Sequence, residues 1–243
     1  WHFRNHQGGV ELKSVVIGLG QIGEPLYQIL VDAYGGDVEG YDARTTPMTK
    51  IVPHDVQVLN IAIPYSDKFT DIVKDYQDMF NPQLTIIHST VPIGTTDTIR
   101  DAVHSPVMGR HDNMKESILK FKKWIGGMRS YEAMEYLGYA GIQCVCVSSA
   151  KETEALKLIC LAKYGMSIAF AQYAKEICRT IGFGYADVIQ WDINYNSGVN
   201  WMLKRPILHP PKKKIGGHCV IPNTKILNEQ YPNQILEEVL KYA

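Results

Sequence analysis

The sequence predicts a doubly wound parallel α/β sheet followed by a smaller all-helical domain. Three observations carry this. A β-branched run, Val15-Val16-Ile17, breaks into a glycine-rich turn and then into helical spacing (Leu26, Ile29, Leu30, Ala33). Strand and helix patterns alternate as far as Val147, as a sheet covered by helices on both faces requires. From Glu152 to Ile181 there is no proline and one glycine, and apolar residues cover most of a helix circumference. The expected division is 1–150 for a sheet domain and 151–243 for a helical dimerisation and substrate domain.

The glycine turn reads Gly18-Leu19-Gly20-Gln21-Ile22-Gly23. Placed between a strand and a helix, a Gly-x-Gly-x-x-Gly suits a dinucleotide: Gly18 for the turn, Gly20 for close approach of the pyrophosphate, Gly23 for helix–strand packing. The anion would rest on the helix N-terminus, where Pro25 gives up no helical bond. Gly35-Gly36 closes the helix, and Val38 to Asp42 reads as the next strand. Asp42 lies 19 residues after Gly23, close to the ~20 expected of the carboxylate that receives the adenosine ribose. A carboxylate repels a 2′-phosphate, so NAD is expected over NADP, with Arg44 two residues later keeping NADP open.

Val56 to Pro64 is the third strand, with Pro64 stopping it beside the cofactor. Ser66 to Phe80 reads as a helix capped by Ser66, and Leu84 to His88 as a buried strand running into Ser89-Thr90-Val91-Pro92-Ile93-Gly94-Thr95-Thr96. Hydroxyls, a proline and a glycine suit a loop at the carboxyl ends of strands, where ligands of such sheets bind. The expected cofactor contacts are Gly18, Gly20, Gln21, Ile22, Gly23, Asp42, Ala43, Arg44, Ile63, Pro64 and Thr90. Further strands are expected at 104–108, 124–127 and 142–147, with a helix over 131–139; the charged stretch 110–123 reads as a surface insertion or a substrate loop. The apolar helix over 152–181 ends at Gly182 and is expected to form a homodimer; shorter helices follow at 185–195, 225–229 and 233–242.

The 25 basic and 25 acidic residues cancel, so no global charge points to nucleic acid or an anionic membrane. No apolar run approaches the ~20 residues of a bilayer span. The opening, Trp1 to His6, has neither the apolar core of a secretion signal nor an initiator Met. Five cysteines in no disulfide or zinc pattern suit a reducing cytoplasm, and no metal is expected. His88, at a strand end beside the Ser-Thr loop, reads as a structural histidine or a general acid or base.

Four stretches together resemble the UDP-glucose/GDP-mannose dehydrogenase family: the glycine turn, Ser89 to Thr96, Glu154-Ala155-Leu156-Lys157-Leu158, and Gly216-Gly217-His218-Cys219-Val220-Ile221-Pro222. The resemblance spans residues 13 to 225 and implies a Rossmann-type domain, NAD, and oxidation of the primary alcohol of a sugar nucleotide. It further implies Cys219 as the nucleophile toward an aldehyde intermediate, Lys157 as the stabiliser of the oxyanion, and Thr90 as a holder of the catalytic water.

The chain departs from that pattern at three places. Leu161 stands for an asparagine one turn after the lysine, Asn223 for an aspartate four residues after the cysteine, and Val107 for an acid after Ser-Pro. Lys212-Lys213-Lys214 replaces glycines before Gly216, as a solvated turn or an anion contact. Three readings follow. One is a dehydrogenase acting on a sugar nucleotide or smaller anionic substrate, with a two-electron β-hydroxyacid-type enzyme as a variant. The others are a dinucleotide-binding protein without turnover, and a chain completed by a partner that supplies a nucleotide-binding domain.

Overall fold

A computed structural model describes residues 12–52, 54–109, 111–198, 204–211, 214–216 and 219–243. They form two compact units, which divide between Lys157 and Leu158. The first is a Rossmann-type, doubly wound layer structure. Its strands are β1 (Ser14–Ile17), β2 (Val38–Tyr41), β3 (Val58–Ile61), β4 (Leu84–Ile87), β5 (Ala102–His104), β6 (Lys123–Gly126) and β7 (Cys144–Val147). They lie in one sheet in the order β2-β1-β3-β4-β5-β6-β7.

β1 to β5 are parallel. β1, β3 and β4 are buried from end to end, as a sheet covered on both faces demands. The chain leaves β1 for β2 on one side and returns past it to β3 on the other. The crevice outside the carboxyl ends of β1 and β3 is therefore the switch point at which such sheets take ligands.

One face carries α1 (Gly23–Tyr34), α3 (Met114–Lys120) and α4 (Ser130–Tyr139), whose Leu26, Leu30, Ile118, Tyr136 and Leu137 join Val16, Val58 and Ile86 in one core. The other face carries α2 (Phe69–Phe80), which buries Phe69, Val73 and Phe80 against Ile17, Leu59 and Ile87. Gly35 caps α1 at φ +66°, as its position after the last apolar residue predicts.

Four expectations change. The strand expected over 104–108 lies at Ala102–His104, and Ser105 to Met108 form the loop that follows it. The 110–123 stretch is not only a surface insertion: Met114 and Ile118 make α3 part of the core, and Lys115 pairs with Asp32 of α1 at 2.8 Å. Ser66 does not cap α2 with its hydroxyl; its carbonyl accepts from the Phe69 amide and the helix starts at Phe69. β6 meets β5 antiparallel, through His104 and Gly126, and β7 follows β6 in parallel. The last two strands thus run against the first five.

In the second unit, α5 (Ala150–Ile181) continues from the first and is followed by α6 (Tyr185–Gly198), α7 (Val220–Gln230) and α8 (Gln234–Leu240). Val220 and Val239 pack with Ala169 and Ile215. A Cβ on Gly165 would lie 2.7 Å from Val220 and 2.9 Å from Val239, so this glycine sets how closely α7 and α8 approach α5. Gly182 ends α5 at φ +99°. Among the described residues no helix is long and apolar enough to cross a membrane.

Candidate functional site

At the carboxyl edge of the sheet the three glycines differ sharply in what surrounds them. Gly18 has φ +92°, and a Cβ there would meet the Ala62 carbonyl oxygen at 2.8 Å. On Gly23 a Cβ would sit 1.7 Å from the Gly18 carbonyl oxygen, so only glycine lets α1 start against the turn. Gly20 has nothing within 4 Å of an added Cβ. Its face opens onto the crevice, which is the space a pyrophosphate needs. No side chain caps α1. The Glu24 amide donates to the Gly20 carbonyl at 3.0 Å and Pro25 has no N–H, so an anion would meet the amides of the turn before them. Gln21 is exposed and Ile22 half-buried beside this cradle. The residues present therefore fit a dinucleotide.

Asp42 immediately follows β2 at the next position along the edge and is 9% exposed. Its carboxylate accepts from the Leu19 amide (3.0 Å), the Arg44 amide (2.9 Å), Arg44 Nε (2.8 Å) and Arg44 Nη2 (2.9 Å). The Arg44 hydrogen bonds, ahead of all other causes, hold its pKa down at about 2. Arg44 itself is exposed, as is Ala43. The structure thus places Asp42 where the spacing predicts and joins it to Arg44, a pairing the spacing does not reveal. Ile63, half-buried, and Pro64, exposed, follow β3 on the far side of Gly18.

Thr90 is half-buried in the loop after β4. That loop is clamped from α5: the Glu154 carboxylate, fully buried, accepts from the Gly94 amide (2.6 Å), the Thr96 amide (2.9 Å) and the Thr96 hydroxyl (2.6 Å). The loop from Ser89 to Thr96 and the start of α5 are therefore one physical assembly. Ser89 donates to the Ile63 carbonyl at 2.6 Å and ties the β3 and β4 ends together. Thr153, one residue before Glu154, meets His104 Nδ1 at 2.8 Å.

One turn after Glu154, Lys157 donates from Nζ to the Val107 carbonyl at 2.7 Å. An ammonium within an apolar helical run needs such acceptors. The side chain of Val107 is apolar and buried, so the main chain contributes an acceptor at the position where the resemblance expects an acid.

His88 is structural. It is 1% exposed, donates from Nδ1 to the Ser105 carbonyl (3.1 Å) and has Nε2 3.0 Å from the Asn60 amide oxygen. Burial first, then the nearby Lys123, holds its pKa well below that of an ordinary histidine. Asn60 continues the network to Val15 and Tyr136, whose hydroxyl donates to Ser14. His104, also buried, is held at a pKa of about 3 by desolvation.

Lys123 is the residue that sequence reasoning missed. It is 4% exposed and donates from Nζ to the Ser105 (2.5 Å) and Pro106 (3.3 Å) carbonyls. The signal was present: on a strand of period two, Lys123 shares a face with Ile125, which is fully buried, while Trp124 faces out.

In the second unit Cys219 is half-buried and immediately precedes α7, at the helix end that favours negative charge. Asn223, in the first turn of α7, is buried. A cavity of about 360 Å³ is lined by Tyr164, Ile168, Ile207, His209, Ile215 and Gly216. Lys214 is exposed; Lys212, Lys213, Gly217 and His218 lie outside the described residues. No cluster of metal-ligating side chains exists among the described residues.

No protein-family model matches the sequence, and no curated protein matches it. The fold is similar to that of UDP-D-ManNAc dehydrogenase from Pyrococcus horikoshii, with a TM-score of 0.77 at 18% identity over 95% of this chain and 68% of that one. It is similar also to UDP-N-acetyl-mannosamine dehydrogenase from Staphylococcus aureus, with a TM-score of 0.71 at 20% identity over 95% and 67%. 3-Hydroxyisobutyrate dehydrogenase from Mycobacterium tuberculosis gives a TM-score of 0.69 at 14% identity over 96% of this chain and 92% of that one. At these identities the likeness is one of fold.

Proposed function

We propose that the chain is a nicotinamide-dinucleotide-dependent dehydrogenase that transfers hydride between the nicotinamide and an alcohol carbon of a sugar nucleotide or a smaller anionic substrate. The observation that carries this reading is the open face of Gly20 between two glycines that admit no side chain, with Asp42 at the next strand end. Gly18, Gly20, Gln21, Ile22 and Gly23 would hold the pyrophosphate, Asp42, Ala43 and Arg44 the adenosine ribose, and Ile63, Pro64 and Thr90 the path toward the nicotinamide. The bound nicotinamide supplies the hydride acceptor or donor. NAD is the favoured form.

In this reading Lys157 donates a hydrogen bond to the substrate oxygen and favours the negative charge that develops there. Thr90 orients substrate or water, on a loop that Glu154 keeps in place. Cys219 is the candidate nucleophile toward an aldehyde. Asn223, neutral and buried in the first turn of α7, supplies no base there, and this favours a single two-electron step, as in a β-hydroxyacid-type enzyme, over oxidation to a carboxylate.

Fluorescence titration with NADH and NADPH tests the cofactor reading, and NAD reduction across a panel of anionic alcohols and sugar nucleotides tests the reaction. Lys157→Ala is expected to abolish turnover with NADH affinity intact. Cys219→Ser is expected to spare an alcohol-to-carbonyl step and stop any second oxidation. Tight NADH binding with no turnover on any substrate supports a binding protein instead.

Exposed apolar side chains on α5 and α6, among them Ile159 (54%), Phe170 (67%) and Trp191 (73%), support a homodimer through the 152–181 helix. Light scattering of the wild type and Phe170→Glu tests it; a monomeric wild type refutes it.

A further inference from the structure

The reversal of β6 has a chemical result. In a parallel β6 the first residue would lie at the amino edge of the sheet, far from ligands. Because β6 pairs antiparallel with β5 through Gly126 and His104, Lys123 lies beyond the carboxyl end of β5, beside Ser105 to Val107. Three consecutive main-chain carbonyls there meet two ammonium groups: Ser105 and Pro106 accept from Lys123, and Val107 accepts from Lys157. The Ser105 carbonyl accepts from His88 as well.

We propose that Lys123 is the positioning residue for Lys157: its buried ammonium fixes the Ser105 and Pro106 carbonyls and thereby presents the Val107 carbonyl that orients the Lys157 ammonium. This rests on the reading of Lys157 as the group that meets the substrate oxygen.

The surroundings of Lys123 give it little else to do. Its hydrogen-bond acceptors are main-chain carbonyls. The titratable groups facing it are His88 after β4, His104 of β5, Cys144 of β7 and Lys157 of α5. On the α3 side it is flanked by the apolar Ile118 and Phe121. A buried ammonium with no carboxylate partner among the described residues is costly. Desolvation, assisted by Lys157, holds its pKa down at about 7. A well-packed apolar residue would serve stability at least as well, so the ammonium must be kept for what it orients. The two lysines also repel each other, so the charge of one is felt by the other.

The test is nitrogen-15 NMR of lysine side chains in the intact protein from pH 5 to 9.5. In the wild type, the Lys157 Nζ resonance is expected to show an inflection at the Lys123 midpoint. In Lys123→Met it loses that inflection, and its slowly exchanging ammonium signal broadens. Lys123→Arg, which keeps the charge and the donors, is expected to restore the slow exchange. A Lys157 resonance that ignores the Lys123 titration in the wild type overturns the proposal, without depending on how any variant folds. So does a Lys157 signal unchanged in a folded Lys123→Met. Failure of the dehydrogenase reading would appear elsewhere, as absent NADH binding by the wild type.

Discussion

Substitution at Gly20 separates cofactor binding from folding. An added Cβ there has no atom within 4 Å, and the backbone is outside the left-handed region that favours glycine. Gly20→Ala is therefore expected to fold as the wild type does, and to be stabilised by about 0.4–1 kcal/mol through the less flexible unfolded chain. Gly20→Val should cost no more than about 0.5 kcal/mol, as for surface changes away from special features. The same side chains project into the space assigned to the pyrophosphate. Keeping that anion off the amides of the turn before α1 forfeits one or two charge-assisted hydrogen bonds, worth about 1.5–3 kcal/mol each. At 1.4 kcal/mol per tenfold, the loss for Gly20→Val is about tenfold in NADH affinity or more, and smaller for Gly20→Ala. Urea denaturation measures the first effect and NADH fluorescence titration the second. A Gly20→Val protein that binds NADH as tightly as the wild type would place the pyrophosphate elsewhere and refute the reasoning.

Gly23→Ala is the opposite case: its Cβ would lie 1.7 Å from a carbonyl oxygen, so α1 must shift, and urea denaturation should show a loss of about 3 kcal/mol or more. Arg44→Ala frees the Asp42 carboxylate, whose lone pairs Arg44 and the Leu19 amide now fill. NADH should then bind several-fold tighter and NADPH at least tenfold weaker in parallel titrations; equal loss of both would remove Arg44 as the selector. Stability should rise with pH above neutrality. Lys123 binds a proton up to about 10.4 when unfolded but only to about 7 when folded, so the unfolded state holds more protons between these values and stability grows by up to about 1.4 kcal/mol per pH unit. Urea denaturation at pH 7, 8 and 9 should show that slope in the wild type and lose it in Lys123→Met. On the acid side, His104 protonates near 6.5 when unfolded and near 3 when folded. Its contribution is whole above 6.5 and is lost as pH falls toward 3, a slope that His104→Gln should reduce by about 1.4 kcal/mol per unit.

What the sequence revealed and what it concealed divide along a physical line. The first four strands, the glycine turn, the cap at Gly35 and the position of Asp42 were legible because each is fixed by local sterics or by a spacing along one element. α3 was hidden because a single turn of helical spacing among charges reads as solvated surface until Met114 and Ile118 find the core. The Arg44 pairing with Asp42 was hidden because both side chains were assigned to the ligand and neither to the other. The roles of Glu154 and Lys123 depend on partners 60 and 18 residues away, which no periodicity records.

The direction of β6 decides the site more than any single motif does. The strand pattern of 123–126 is the same read in either direction, and only the pairing of Gly126 with His104 tells that the chain has turned back. That turn brings a lysine, not a sheet-edge apolar residue, to the strand end where α5 delivers Thr153, Glu154 and Lys157. Each of these three α5 residues grips a different part of the rim: His104, the loop after Thr90, and Val107. Positions one turn apart on a rigid helix thereby hold the loops after β4 and β5 at fixed separation, which is what a site needs if a reacting oxygen is to meet one ammonium in one geometry. In the proposed reading this rim would place a single polarising cation, and Leu161 and Asn223 stand where the resemblance expects the groups for a second oxidation.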